Sequence, residues 1–129
     1  MNTPLHIVPY VGIDITDIAR FRGLSRRTNK KLLNKIFTPN ELTYCFSVDD
    51  SASRLAVRFA AKEAVRKALS PAGIPPVNFY DIEVLRKKNG IPEIVLRVPK
   101  LKHVAIKISL SHAKESAVAV ALVFVSSKT

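Results

Sequence analysis

The chain has 129 residues, of which 47% are hydrophobic, and it carries 21 Lys and Arg against 10 Asp and Glu. This length suits one domain with a substantial core, so we predict a single domain over residues 1–129. The longest apolar run, residues 116–125, is too short to cross a bilayer. The lone Cys45 excludes an internal disulfide and fits a reducing compartment. We expect its side chain to be buried as a small hydrophobic residue.

The formal net charge of +11 predicts an anionic partner. A nucleic acid, an anionic membrane surface or an acidic protein would each fit. Recognition of unpaired bases relies on aromatic stacking, and the chain has no Trp and only 7% aromatic residues, which weakens the nucleic-acid alternative. The stretch from residue 20 to residue 35 is the most basic, with no acid and seven cations: Arg20, Arg22, Arg26, Arg27, Lys30, Lys31 and Lys35.

The first half of the chain predicts one strand followed by helices. Apolar and β-branched residues predict a strand from about Tyr10 to Ile15. Helical spacing over residues 17–35 predicts two short helices, separated near Gly23–Ser25. The segment Thr38-Pro39-Asn40-Glu41 is typical of a capping box, which gives Glu41 a structural role. Residues 51–69 predict the main helix.

The second half of the chain predicts antiparallel strands. Residues 81–88 and 93–98 alternate around Asn89-Gly90, a strong hairpin signal. Residues 104–110 and 116–125 predict two more strands, joined by a turn. Helices early and antiparallel strands late predict an α+β fold, in which an antiparallel sheet packs against helices.

The main helix carries a candidate catalytic pair. Glu63 and Lys67 are four residues apart, so they lie in adjacent turns of one face. The carboxylate can bind a metal or accept a proton, and the ammonium can bind a phosphate. A solvated ion pair, worth a few tenths of a kcal/mol, is the alternative for these two residues. Lys62 lies on a different face, with Arg58 one turn before it; solvent exposure is equally open for both.

Asp14 is the second candidate acid. It interrupts an apolar strand, where an unpaired carboxylate would be costly. It could cap the helix that begins near Asp17. It could also hold Mg²⁺ together with Glu63, because Mg²⁺ usually takes one or two carboxylates plus substrate phosphates and water.

His112 follows Ser109 and Ser111 at the predicted end of a strand. A surface or capping role is open to a histidine at a turn. His6 and His103 lack even this context, and we assign them no role.

Three motifs occur in the order of a known family: Gly12-Ile13-Asp14 on a strand, Phe59-Ala60-Ala61-Lys62-Glu63-Ala64 on a helix, and Ser109-Leu110-Ser111-His112 at a strand end. In this order they resemble the holo-acyl-carrier-protein synthases, which are small 4′-phosphopantetheinyl transferases. The segments Phe37-Thr38-x-x-Glu41 and Asn89-Gly90-Ile91-Pro92 extend the resemblance over about residues 11–125. The resemblance implies transfer of phosphopantetheine from coenzyme A to a serine of acyl carrier protein, with a divalent metal such as Mg²⁺.

The resemblance also implies roles for individual residues. Asp14 and Glu63 would ligate the metal, and either Glu63 or a metal-bound water would act as the base. Lys67 would contact the phosphate or the attacking hydroxyl. Acyl carrier proteins are acidic, so Arg20, Arg26 and Arg27 would contact the carrier. The residues expected to contact coenzyme A are Arg58, Lys62, Lys67, Ser111 and His112.

The chain is half the length of the two-lobed transferases that pair similar halves around one site, so its sites are expected at subunit interfaces. The resemblance implies that the assembly is a homotrimer. His112 would then come from one subunit, and Asp14, Glu63 and Lys67 from its neighbour. The family commonly has Lys where this chain has Ile91, so one nucleotide contact would be absent or supplied by Lys87 or Lys88.

The segment from Phe37 to Cys45 looks closer to fungal-type domains, which favours a mitochondrial location over a cytoplasmic one. The ten residues ahead of Val11 are nevertheless a poor transit peptide. Two rival hypotheses stand beside the enzyme: a basic nucleic-acid-binding module, and a scaffold that keeps the fold without the activity.

Overall fold

The computed structural model describes residues 8–126, so His6 and most of the segment ahead of Val11 lie outside the described residues. It confirms the α+β fold. The helices are α1 (Lys30–Ile36), α2 (Pro39–Cys45) and α3 (Ser51–Leu69), with short 3₁₀ turns at Ile18–Phe21, Phe79–Asp81 and Pro99–Leu101. The strands are β1 (Tyr10–Asp17), β2 (Ile82–Arg86), β3 (Pro92–Leu96), β4 (Val104–His112) and β5 (Ser116–Val125).

The strands form two antiparallel sheets rather than one. The larger has the order β1-β5-β4, and the hairpin β2–β3 forms the smaller. In the larger sheet, Ala119 of β5 stands opposite both Asp14 of β1 and Leu110 of β4. Ala117 stands opposite both Thr16 and His112. Asp14 and His112 therefore lie on the two outer strands, separated by β5.

The predicted pair of helices over residues 17–35 is only half correct. The first is a 3₁₀ turn of four residues, Ile18–Phe21, and the second is α1. Gly23 has a φ of +78°, a left-handed conformation that glycine adopts readily and that ends the turn. Cys45 is buried, as predicted, and burial raises the pKa of its thiol to about 11.

Helix α3 packs on one face of the larger sheet through small residues. Ala56, Ala60 and Ala64 of the helix are fully buried, as are Ala117, Ala119 and Ala121 of β5. At Gly12 the backbones come closest: a Cβ added there would lie 2.0 Å from the carbonyl oxygen of Ala64 and 2.7 Å from the amide nitrogen of Ala68. Only glycine fits, and this contact fixes β1 against the C-terminal half of α3.

The opposite face of β1 is apolar and exposed. Val11, Ile13 and Ile15 are 61%, 60% and 68% exposed. They stand opposite Leu122, Val120 and Val118 of β5. Among the described residues, no helix combines the length and the apolar character that a bilayer crossing requires.

We expect Gly12→Ala to destabilise the fold by about 3 kcal/mol, because its methyl group would overlap backbone atoms that cannot move independently of α3. Urea denaturation measures the loss, with Thr43→Ala on the exposed face of α2 as the control. A free energy of unfolding equal to that of the unaltered protein would show that β1 and α3 do not lie at backbone contact.

Candidate active site

Asp14 and Lys67 form the first part of the site. The Asp14 carboxylate accepts hydrogen bonds from Nζ of Lys67 at 3.1 Å and from Oγ1 of Thr16 at 2.7 Å. Lys67 also donates to the carbonyl oxygen of Ile13 at 3.1 Å. Its side chain is 54% exposed, against 12% for Asp14. The alternative that Asp14 caps a helix is wrong, because the 3₁₀ turn begins after Asp17 and has no side-chain cap.

Glu63 joins this part from the same flank of α3. It lines a cavity of about 390 Å³ with Lys67, and the other lining residues are Arg66, Ser70, Ile74 and Pro76. The predicted alternative of an ion pair between Glu63 and Lys67 is not found, since Lys67 pairs with Asp14 instead. Within residues 8–126, Glu63 takes part in no ion pair or side-chain hydrogen bond, which leaves its carboxylate free as a ligand or base.

The two acids suit a hard divalent cation that also binds substrate. No cluster of three or more His, Cys, Asp or Glu side chains occurs within residues 8–126. A cation held by Asp14 and Glu63 would need oxygen atoms from water or a phosphate to complete its shell. Mg²⁺ is bound in this way, so the donor set fits it.

A second, larger cavity lies on the other flank of α3. Its volume is about 620 Å³, and none of the described residues that line it is acidic. Three arginines and a histidine give it a positive lining, and hairpin residues 90–92 close one side. The cationic lining residues are Arg54, Arg58, Arg86 and His112.

Arg58 and His112 both line this cavity, whose charge favours an anionic ligand, and their contact with coenzyme A stays a prediction. Arg58 is 5% exposed, and its guanidinium carbon lies 4.0 Å from the centre of the Tyr44 ring. Its Nε is buried and has no hydrogen-bond partner within the described part of the chain. Ser111 does not line the cavity, whereas Ser109 does. Ile91 lines it where the family commonly has Lys.

The predicted role of Lys62 as a coenzyme A contact is wrong. Lys62 is fully buried, and its Nζ donates to Oε1 of Glu41 at 2.8 Å, to the carbonyl oxygen of Phe79 at 2.9 Å and to that of Ile82 at 2.5 Å. All three ammonium protons are thus used within the chain. Desolvation lowers the pKa of Lys62, and the Glu41 carboxylate opposes that shift. Lys62 ties the start of β2 to α3.

Glu41 completes this buried network, and its structural role is confirmed. It accepts hydrogen bonds from the backbone amides of Thr38 and Val84, both at 2.8 Å, and forms the predicted capping box. Beside it, burial acts to raise the pKa of Glu83, but hydrogen bonds from Thr38 and Arg97 lower it overall. The network fixes the hairpin that closes the larger cavity.

The predicted carrier contacts lie on the surface. The guanidinium carbon of Arg20 is 5.0 Å from the centre of the Phe59 ring, and its side chain is exposed. Arg26 and Arg27 are exposed in the turn before α1, and neither forms an ion pair in the described part of the chain. With Lys31 and Lys35 of α1 they form an exposed basic surface, beside which Arg22 pairs with Glu115 at 3.6 Å.

The two cavities lie on opposite sides of α3. Residues of an α-helix advance by about 100° each, so positions 54 and 58 point roughly opposite to positions 63 and 67. A ligand that contacts Arg58 in one chain is therefore separated by the helix from Lys67 of the same chain. Each chain therefore presents two separate cavities, one on each flank of α3.

Among the residues of the larger cavity that sequence reasoning missed are Tyr44, Arg54 and Arg86. The spacing of Arg54 and Arg58, four residues apart on one helix, is a signal that could have indicated Arg54. Tyr44 and Arg86 reach the cavity from α2 and β2, and local spacing gives no indication of that approach.

The comparisons with known proteins agree with this geometry. The sequence model of the 4′-phosphopantetheinyl transferase superfamily matches residues 10–123. A holo-[acyl-carrier-protein] synthase of Chlorobaculum parvum is 43% identical over 113 residues, which cover 88% of this chain and 96% of that protein. One from Carboxydothermus hydrogenoformans is 44% identical over 119 residues, which cover 88% of this chain and 95% of that protein.

Solved structures show the same likeness. An ACPS–CoA complex from Chronobacterium ammoniagenes matches with a TM-score of 0.76 at 31% identity, over 93% of this chain and 99% of that one. The chain belongs to the 4′-phosphopantetheinyl transferase superfamily. The two relatives named above are bacterial, and the closer likeness to fungal-type domains is not borne out.

Proposed function

We propose that this protein is a holo-acyl-carrier-protein synthase. It transfers 4′-phosphopantetheine from coenzyme A to a serine of an apo-acyl carrier protein and releases adenosine 3′,5′-bisphosphate. The observation that carries the proposal is the division of charge around α3: an acid-free, arginine-lined cavity on one flank, and Lys67 with two carboxylates on the other. The relatives named holo-[acyl-carrier-protein] synthase support the same activity.

The reaction exchanges one phosphorus–oxygen bond for another. The serine oxygen bonds to the phosphorus next to pantetheine, and the bond from that phosphorus to the bridging oxygen breaks. The bridging oxygen leaves with adenosine 3′,5′-bisphosphate. Phosphoryl transfer of this kind depends on positioning and charge neutralisation. We assign the serine proton to one oxygen of the Glu63 carboxylate, whose other oxygen would remain for a cation, and contact with the pyrophosphate to the exposed ammonium of Lys67.

Asp14 has two partners that hold its carboxylate in place, Thr16 and Lys67. A divalent cation held by Asp14 and Glu63 would neutralise charge on the phosphates of coenzyme A. The hydrogen bond from Thr16 orients one carboxylate oxygen, while the Lys67 ammonium contacts the other.

A site that uses both flanks of α3 must be shared between chains. One subunit would supply the arginine-lined cavity with His112, and its neighbour would supply Asp14, Glu63 and Lys67. The exposed apolar face of β1 supports assembly, because a contiguous apolar surface is a usual mark of a protein interface. A repeated head-to-tail interface closes into a ring, and we propose a homotrimer.

The basic surface around Arg20 suits an acidic carrier protein. A carrier docked there would be attracted by Arg20, Arg26 and Arg27, which take part in none of the ion pairs within residues 8–126. A nucleic-acid-binding module would share this surface, but it would not need the carboxylates of Asp14 and Glu63. A mitochondrial location for the protein remains a prediction.

Mass spectrometry of an apo-acyl carrier protein, incubated with the protein, coenzyme A and Mg²⁺, tests the proposed function. We expect the carrier to gain the mass of phosphopantetheine on one serine. A carrier of unchanged mass would contradict the enzyme, and coenzyme A binding without transfer would favour the scaffold hypothesis.

Replacing Asp14 or Glu63 by Ala should abolish transfer, because each change removes one of the two carboxylates that would hold Mg²⁺ against the phosphates of coenzyme A. Chelation with EDTA should have the same effect on the unaltered protein. Asp17→Ala, which removes an exposed acid from the same strand, is the control and should leave transfer unchanged. Full transfer in excess EDTA would refute the metal assignment.

Arg20→Glu should raise KM for the carrier protein and leave KM for coenzyme A nearly unchanged, because Arg20 belongs to the basic surface and lines neither cavity. Arg26→Glu and Arg27→Glu should have smaller effects. Initial rates measure both constants, with Lys100→Glu as a charge-matched control.

Carrier binding should weaken between about 0.05 and 0.5 M salt as screening increases. Tight duplex DNA binding that survives this salt would favour the nucleic-acid alternative.

The shared site predicts complementation between two inactive variants. His112→Ala and Glu63→Ala chains should each be nearly inactive alone. After they are unfolded together and refolded at equal amounts, about one interface in four should pair an intact His112 with an intact Glu63, and activity should return. Mixed trimers seen by native mass spectrometry without recovered activity would place the whole site in one subunit.

A further inference from the structure

Arg66 lines the smaller cavity, and the proposed reaction does not yet use it. It shares this cavity of about 390 Å³ with Glu63 and Lys67. Within residues 8–126, its guanidinium takes part in no ion pair and no side-chain hydrogen bond. Glu63 lies three positions earlier on α3, near enough for an ion pair with Arg66, yet the two side chains do not pair. Both charges are therefore open to groups from outside the chain.

An aromatic ring holds the Arg66 guanidinium in place. Its central carbon lies 4.4 Å from the centre of the Phe79 ring. A guanidinium group stacks on an aromatic face in a fixed orientation, and this contact leaves its N–H donors unused. The backbone of Phe79 is fixed in turn, because its carbonyl oxygen accepts a hydrogen bond from Nζ of Lys62 at 2.9 Å. Arg66 is thus held beside Glu63 with its donors available.

The Phe79 ring belongs to a row of aromatic rings that leads to Arg20. The ring centres of Phe79 and Phe59 are 5.3 Å apart, and those of Phe59 and Phe21 are 5.6 Å apart. The guanidinium carbon of Arg20 lies 5.0 Å from the centre of the Phe59 ring. Arg20 and Arg66 therefore lie on neighbouring rings of one row, and Arg66 continues the basic surface from Arg20 to the smaller cavity.

The direction of Arg66 separates it from the reacting phosphate. Lys67, the next residue, points to β1, where its Nζ donates to the Asp14 carboxylate at 3.1 Å. Consecutive residues of an α-helix point about 100° apart, and Arg66 lies over a ring on the side of Arg20. Lys67 and the two acids suit the phosphate, so the anion that suits Arg66 belongs to the other substrate. The carrier brings its serine to this same cavity, so a carboxylate beside that serine is the group within reach of Arg66.

We propose that Arg66 is a positioning residue that binds a carboxylate of the carrier protein beside the acceptor serine, and so places the serine hydroxyl at Glu63. The inference rests on the proposed function and names a further contact for its protein substrate. The basic surface around Arg20 attracts the carrier as a whole, whereas Arg66 orients the segment that reacts. An arginine suits this purpose, because its planar group contacts both oxygens of a carboxylate.

Steady-state transfer kinetics of Arg66→Ala test the contact. The value of kcat/KM for the carrier should fall about tenfold, since one charge-assisted hydrogen bond is worth about that much. Part of the loss should appear in kcat, because the serine is less well oriented, whereas Arg20→Glu should change KM for the carrier alone. KM for coenzyme A should stay nearly unchanged. Lys102→Ala removes an exposed cation outside both cavities and is the control.

The Phe79 ring gives a second measurement. Phe79→Leu keeps an apolar side chain and the backbone carbonyl but removes the aromatic face, so kcat/KM for the carrier should fall about threefold. In the Arg66→Ala protein the same change should have little further effect, because no guanidinium remains to be held. Arg66→Lys should restore part of the activity that Arg66→Ala loses. If thermal melting shows that Phe79→Leu does not fold, Arg66→Ala and Arg66→Lys decide the result.

Charge reversal identifies the partner group on the carrier. Arg66→Glu should lower kcat/KM for the carrier more than Arg66→Ala does, because it adds repulsion. The acids nearest the acceptor serine are then replaced by Lys, one at a time, in the carrier. One of these carriers should regain about tenfold in kcat/KM with Arg66→Glu and be a poorer substrate for the unaltered protein. A general loss of structure would not be rescued in this way.

Three outcomes would overturn the proposal. The first is an unchanged kcat/KM for the carrier in Arg66→Ala. The second is a raised KM for coenzyme A with unchanged carrier constants, which would assign Arg66 to the phosphate instead. The third is that none of the carrier variants rescues Arg66→Glu. If the unaltered protein still attaches phosphopantetheine to the carrier, each of these removes the contact and leaves the proposed function intact. If it attaches nothing, the proposed function fails and the inference fails with it.

Discussion

The contact between Gly12 of β1 and the backbone of α3 determines where the reactive groups lie. A strand and a helix normally keep the distance that their side chains require, but here a Cβ at position 12 would meet the carbonyl oxygen of Ala64 at 2.0 Å. Asp14 is two residues further along β1, on the same face of the strand. It thereby reaches the flank of α3 that carries Lys67, and the two side chains bond at 3.1 Å. A wider separation would leave Asp14 a partly buried acid without its cation.

Helix α3 then serves three purposes on three of its faces. One face holds Arg54 and Arg58 in the larger cavity, and the opposite face holds Glu63 and Lys67. Between them, Lys62 points into the interior, where Glu41 and two carbonyl oxygens take up its protons. Such a buried ion pair is costly to desolvate and contributes little net stability. Its effect is positional, because it fixes the hairpin that closes the larger cavity against the helix that supplies the cations.

Local patterns in the sequence predict the elements well and the tertiary contacts poorly. The predicted bounds of the main helix, residues 51–69, agree with α3, and the capping box at Thr38 is present. Lys62 shows the limit of this reasoning. Its helical position relative to Arg58 is compatible with a shared ligand, but its partners are Glu41, 21 residues earlier, and carbonyl groups 17 and 20 residues later. These partners lie outside α3, so helical spacing gives no sign of them, and the burial of Lys62 could not be predicted from the sequence.

The net charge of +11 is divided between two environments that respond differently to salt. The basic surface of Arg20, Arg26 and Arg27 is exposed, and mobile ions screen it over about 8–10 Å at physiological ionic strength. The larger cavity, in contrast, holds Arg58, a residue only 5% exposed, where screening is weak and an uncompensated charge is costly. Exposed charge favours a large, acidic and reversibly docked partner, whereas enclosed charge favours a small anion that loses its water. The excess of cations therefore offers two separate sets of charges, one suited to a protein at the exposed surface and one suited to a small anion in the cavity.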